Sequence, residues 1–226
     1  MLIFLLACAH TPEPAAVAEV PPDKAAMVRV HMSENFDRAT NAKDEVVMGM
    51  PDRARADLAW LGENLATDAL GEPGVAFLTS LKMASAEAAK ASTSTDLGAG
   101  IGQVVATCST CHAHFGVALS PLVATKPETG GHAATASWAV GALWTGVLAN
   151  TDAAWNTGAA DLAAEVQQLQ SYAAASPGAD AAGGLARLTE LATTAPAAAD
   201  RDARSKALGQ VVGACGSCHV EALKHN

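Results

Sequence analysis

The chain contains five cysteines, and four of them fall into two copies of one pattern, Cys108-Ser109-Thr110-Cys111-His112 and Cys215-Gly216-Ser217-Cys218-His219. Two thiols three positions apart sit about one turn from each other on a helix, so both can add to the two vinyl groups of a single porphyrin. The adjacent histidine then supplies an axial nitrogen to the iron. The chemistry open to each motif is covalent attachment and ligation of a c-type haem.

A bare Cys-x-x-Cys pair can also be a redox dithiol or half of a zinc site, and two pairs can in principle share one four-cysteine ion. Here the pairs are far apart in the chain, each has its own histidine, and no β-α-β pattern surrounds either. The full five-residue signature in both copies points to two covalently bound haem c groups. Cys108, Cys111, Cys215 and Cys218 would hold them, with His112 and His219 as proximal axial ligands.

The motifs belong to a longer repeat. Gly102-Gln103-Val104-Val105 precedes the first pair and Gly209-Gln210-Val211-Val212 the second, with the same spacing to the first cysteine. Upstream, His31 and His132 each stand near the start of a long helical stretch. Two modules of about 100 residues follow, within the usual domain range.

Half of the residues are hydrophobic and only 4% are aromatic. No stretch sustains the period-2 alternation of a strand, so an all-α chain is expected. In the first module the pattern predicts helices from Pro22 to Gly49, Pro51 to Ala66, Pro73 to Ala91 and Asp96 to about Leu119. Breaks fall at Met50-Pro51-Asp52, Gly71-Glu72-Pro73-Gly74 and Ser92-Thr93-Ser94-Thr95, where a first-turn proline or a capping side chain belongs. The second module predicts helices from Gly131 to Ala149, Thr151 to Ala174, Ala179 to Thr194 and Ala197 to Lys224. On the last helix of each module, Ile101, Val104, Val105 and Cys108, and then Leu208, Val211, Val212 and Cys215, form an apolar stripe at helical spacing.

Four helices with the haem motif near the end of the last one resemble the class II cytochromes c, the cytochrome c-prime type. The resemblance covers residues 22–119 and 127–226, and it implies two tandem four-helix bundles, each with a c-type haem on its last helix. Class II proteins commonly follow the motif with an aromatic residue and an arginine that faces a haem propionate. Here Phe115 fills the aromatic place, but Gly116 stands in the arginine place, and the second copy has Ala222 and Leu223. Propionate partners must come from elsewhere, with Lys24, Arg29, Arg38 and Lys126 as candidates.

In an up-down-up-down bundle the first helix runs antiparallel to the last, so His31 lies level with His112 and His132 with His219. Their recurrence in both repeats makes His31 and His132 the candidate distal axial ligands. Methionine cannot serve generally, since all six methionines precede residue 84. His114 and His225 lack counterparts and are expected at the surface. Phe36, Trp60, Trp138, Trp144 and Trp155 are expected in the core or haem pocket.

At the N-terminus, Leu5-Leu6-Ala7-Cys8 resembles a bacterial lipobox, in which Cys8 becomes the lipidated first residue. The apolar run is shorter than a signal h-region and lacks a positive start, so a start upstream of Met1 is expected. Residues 1–8 read as a signal remnant and 9–21 as a Pro/Ala linker, with a reach of about 40 Å when extended. A periplasmic protein follows, anchored through Cys8 with the outer membrane favoured over the inner. The membrane would be met only through that anchor.

A net charge of −9 argues against a nucleic-acid partner. No Ser-His-Asp signature or phosphate loop is present, and Gly98, Gly100 and Gly102 follow no strand, so they read as positions of close helix packing against the haem or its neighbours. The expected function is electron transfer by a dihaem cytochrome with bis-histidine haems, between periplasmic or membrane redox proteins. The alternative is a gas-binding protein with five-coordinate haems open to nitric oxide or carbon monoxide. Enzyme activity is not expected; peroxidase activity is the weaker possibility, because dihaem peroxidases carry their motifs early in each domain.

Overall fold

A computed structural model describes residues 22–65, 70–119, 125–127, 131–175 and 182–223. Cys8, the proline tether and His225 lie outside the described residues. Among those described the chain is all-α, with eight helices and no strand: α1 Pro22–Val47, α2 Pro51–Asn64, α3 Gly71–Ala88, α4 Ser94–His114, α5 Gly131–Leu148, α6 Asp152–Ala175, α7 Ala182–Thr194 and α8 Arg201–Leu223.

Local chemistry accounts for the ends, including those that differ from expectation. The Thr93 hydroxyl accepts from the Asp96 amide at 3.1 Å, so α4 begins at Ser94 rather than Asp96. It stops at His114, short of Leu119, because Gly116 takes a φ of +62° that ends helical bonding. The last helix begins at Arg201 and not Ala197. Pro196 sits in a short 3-10 turn, and the Asp200 carboxylate caps the new helix by accepting from the Ala203 amide at 2.8 Å.

α1 and α5 end in the same Schellman geometry. The Met50 amide donates to the Glu45 carbonyl at 2.8 Å and Gly49 to Val46 at 2.9 Å, while Thr151 donates to Gly146 at 3.1 Å and Asn150 to Val147 at 3.2 Å. Gly49 and Asn150 hold the required left-handed backbone, at φ +75° and +50°. This pattern leaves the last helical carbonyls, Val47 and Leu148, outside both closing bonds.

Successive helices pack on one another from α1 to α4 and from α5 to α8, and the most extensive contact joins α4 to α8 across the two halves. These two helices run antiparallel: Gly98 lies against Gly209, Gly102 against Ser205 and Gly213 against Thr95. Arg201 Nη1 donates to Thr110 Oγ1 at 3.2 Å at one end of the pair. A methyl group on Gly98 would lie 2.5 Å from the Gly213 amide nitrogen, so only glycine permits this approach. The expected stripe, Ile101, Val104, Val105, Leu208, Val211 and Val212, is buried in the core.

Burial first, then the Asp57 charge, pushes the Glu45 carboxyl above its ordinary value, and its Oε2 is buried without a partner. The folded chain therefore retains a proton that the unfolded chain releases. Stability contributed at this position is lost as pH rises through the folded value and recovered below the unfolded value, about 4.3. Glu45→Gln is expected to raise Tm at pH 7, with the gain shrinking towards zero near pH 4. Thermal melts across that range check it.

Candidate functional site

The second motif occupies the end of α8 and is braced by the end of α1. Gly216 lies against the Val46 carbonyl and Gly49 against His219 Cβ, both at glycine-only approach. His219 Nδ1–H donates to the Val47 carbonyl, which fixes the ring and leaves Nε2 as the nitrogen for a metal. Cys215 is buried, and Cys218 lies beside Gly184 at the start of α7.

The first motif occupies the end of α4. All four motif cysteines are free thiols. Burial, then the neighbouring cysteine, pushes Cys108 and Cys215 up to about 12, and burial also raises Cys111 and Cys218. They stay protonated at neutral pH. Burial lowers the His112 pKa, so its imidazole is neutral, the form that ligates a metal.

Beside this motif lies a cavity of about 1020 Å³, the size of a large cofactor pocket. Cys111 and His112 form one wall, with Phe115 beyond them. α1 contributes a stripe through Arg29, Met32, Phe36, Thr40 and Lys43, and α5 contributes Trp138, Trp144 and Leu148 among others. The site is thus built from both halves of the chain. Three polar atoms in its wall are buried with no partner: Thr40 Oγ1, His112 Nδ1 and Trp144 Nε1. Lys43 is 3% exposed and pairs with Asp44. A mostly apolar pocket with a few unsatisfied donors fits a flat apolar group that bears carboxylates.

The antiparallel α4–α8 pairing places the two cysteine pairs at opposite ends, roughly 25 Å apart along the helix axes at 1.5 Å per residue. They cannot share one zinc ion. Among the described residues no group of three His, Cys, Asp or Glu could hold a bare metal ion. A porphyrin iron needs only one or two protein ligands, because the macrocycle supplies four nitrogens.

His31 is half-buried on α1 and does not line the cavity; its neighbour Met32 does. Its level along the helix suits His112, but it lies about 100° round the helix from Met32. His132 opens α5 and its Nδ1 is 3.0 Å from Glu165 Oε2 on α6. His114 is exposed and packs against Phe77 and Phe115, with ring centroids 5.1 Å away in each case.

Of the propionate candidates, Arg29 reaches the cavity wall, Arg38 bonds Asp57 at 2.6 Å, Lys126 bonds Asp161, and the Lys24 side chain lies outside the described residues. Lys43, Thr40 and Leu148 were missed as site residues. Lys43 was readable from its helical spacing after Met32 and Phe36, which places a cation on the same face of α1. Trp155 is fully buried and donates to the Ala195 carbonyl at 3.1 Å, a core role. No protein-family model, no curated protein and no solved structure matches the chain.

Proposed function

We propose that the chain is a dihaem c-type cytochrome, built as two four-helix units of class II type, that passes single electrons between redox partners outside the cytoplasm. The observation that carries this is the large apolar cavity with Cys111, His112 and three unpartnered polar atoms in its wall. A bound haem would supply the one-electron Fe(III)/Fe(II) couple. The cysteines would tether it, His112 would present a neutral imidazole and His219 an imidazole oriented by the Val47 carbonyl, and the apolar wall would exclude water. Lys43, Trp144 and Thr40 would hold the carboxylates of the group, which would give the buried Lys43 charge a counterion beyond Asp44.

A pyridine haemochrome assay tests the reading: two haems per chain support it, and none sinks it. Lys43→Met is expected to lower the midpoint potential of one haem and leave the other unchanged, because removing a buried cation from the cavity wall favours the ferric charge, and a redox titration checks it. The position of His31 off the cavity wall favours a second reading, gas binding at the first haem. A ferrous spectrum that carbon monoxide leaves unchanged supports the carrier. A carbonyl spectrum at one haem, unaffected by His31→Ala, supports the gas site. Export with a lipid on Cys8 completes the proposal, and no helix among the described residues is long and apolar enough to cross a membrane. Fatty-acid labelling that disappears in Cys8→Ala checks the anchor.

A further inference from the structure

The haem histidine of the second half is held by the first half: His219 Nδ1–H donates to the Val47 carbonyl, the last helical carbonyl of α1. That carbonyl is available because the Schellman turn at Gly49 and Met50 closes on Val46 and Glu45 instead.

α5 repeats this ending residue by residue. Asn150 takes the place of Gly49, Thr151 of Met50, Gly146 of Glu45 and Val147 of Val46. Leu148 therefore takes the place of Val47, with a carbonyl left open in the same way. His112 Nδ1 is buried with no partner, and His112 and Leu148 line the same cavity. A buried imidazole nitrogen without a partner is costly, and an open helix-end carbonyl in the same pocket is the acceptor that would satisfy it.

We propose that the two haem sites are reciprocally braced: each proximal histidine is oriented by the last carbonyl of the other half's first helix, His219 by Val47 and His112 by Leu148. The inference rests on the haem reading above. Donation from Nδ1 sets the tautomer, fixes the ring plane and raises the basicity of the ligating Nε2, which favours ferric iron. Leu148 is a positioning residue that acts through His112. The end of α5, in the second half, thereby tunes the iron of the first.

The test uses Asn150, which lies in α5's terminal turn outside the cavity wall and holds φ +50°. A β-branched side chain rarely adopts that backbone, whereas glycine does so freely. In the two-haem protein, Asn150→Val is expected to raise one of the two midpoint potentials and leave the other unchanged, while Asn150→Gly moves neither. Two haems with both potentials unmoved in Asn150→Val, or with both moved together, overturn the bracing alone. A chain that carries no haem overturns the haem reading and this inference with it. Should Asn150→Val not fold, a crystal structure of the unaltered haem-loaded protein decides. His112 Nδ1 within about 3.2 Å of the Leu148 carbonyl supports the bracing, and a partner from its own half overturns it.

Discussion

Alanine at both Cys108 and Cys111 is expected to reduce covalent haem from two per chain to one, and alanine at Cys215 and Cys218 to do the same from the other end. The independence follows from the antiparallel α4–α8 pairing, which keeps the two thiol pairs roughly 25 Å apart along the helices. A porphyrin attached to one pair would be out of reach of the other. Haem-stained gels and a pyridine haemochrome assay read the result. The two variants are not expected to be equally stable. A haem in the cavity between α1, α4 and α5 would exclude solvent from its apolar wall, so on the haem reading the Cys108/Cys111 variant should melt lower than the unaltered chain. A variant that retains two haems would show that the motif is not the attachment site.

Valine at Gly98, a buried position on α4, is expected to cost the fold several kcal/mol. Two effects compete. Replacing glycine within a helix gains up to about 1 kcal/mol from restricted backbone freedom. Against this, a Cβ at Gly98 would lie 2.5 Å from the backbone nitrogen of Gly213 and 2.7 Å from its Cα. These are main-chain atoms that no rotamer change can move, so α4 and α8 must separate. Overpacking in a tight core costs about 1–3 kcal/mol and sometimes more, against a total stability of about 5–15 kcal/mol. Gly209→Val should behave alike, since its Cβ would meet the Gly98 carbonyl at 2.7 Å. Gly183→Ala, with nothing within 4 Å, is the control and should stay within about 1 kcal/mol of the parent. Urea denaturation with constant m checks all three.

Much of the helical layout was readable from local chemistry. Pro51 opens α2, Thr93 caps the helix that carries the first motif, and the stripe from Ile101 to Val105 is buried as its spacing requires. Boundaries slipped where a side chain two or three residues away decided them. The Asp200 carboxylate starts α8 four residues later than Ala197, and the positive φ of Gly116 ends α4 before Leu119. Gly98 and Gly102 were read as close-packing positions, and they meet α8; Gly100 meets Ala88 of α3.

The candidate site divides differently. Cys108, Cys111, His112, Cys215, Cys218 and His219 are legible as candidates because thioether attachment and iron ligation would demand those residue types at one local spacing, which a single helix supplies. The level of His31 against His112 is also legible, since it follows from the rise per residue. Which face of α1 meets the cavity is not. That depends on how far α1 is turned about its own axis by packing against α2, α8 and its neighbours, and the turn brings Met32, Thr40 and Lys43 to the wall in place of His31.

The sequence by itself determined an all-helical chain with an internal repeat and two local five-residue motifs, because helix propensity, capping and i to i+4 spacing are short-range properties. Only the tertiary structure decided that the halves meet through glycine-lined α4 and α8, that one cavity draws its wall from both α1 and α5, and that His219 rests on Val47. Each of these joins residues distant in the chain. They arise from a helix crossing set by the absence of side chains at Gly98, Gly102, Gly209 and Gly213, and no periodicity within either half encodes where that crossing places the other.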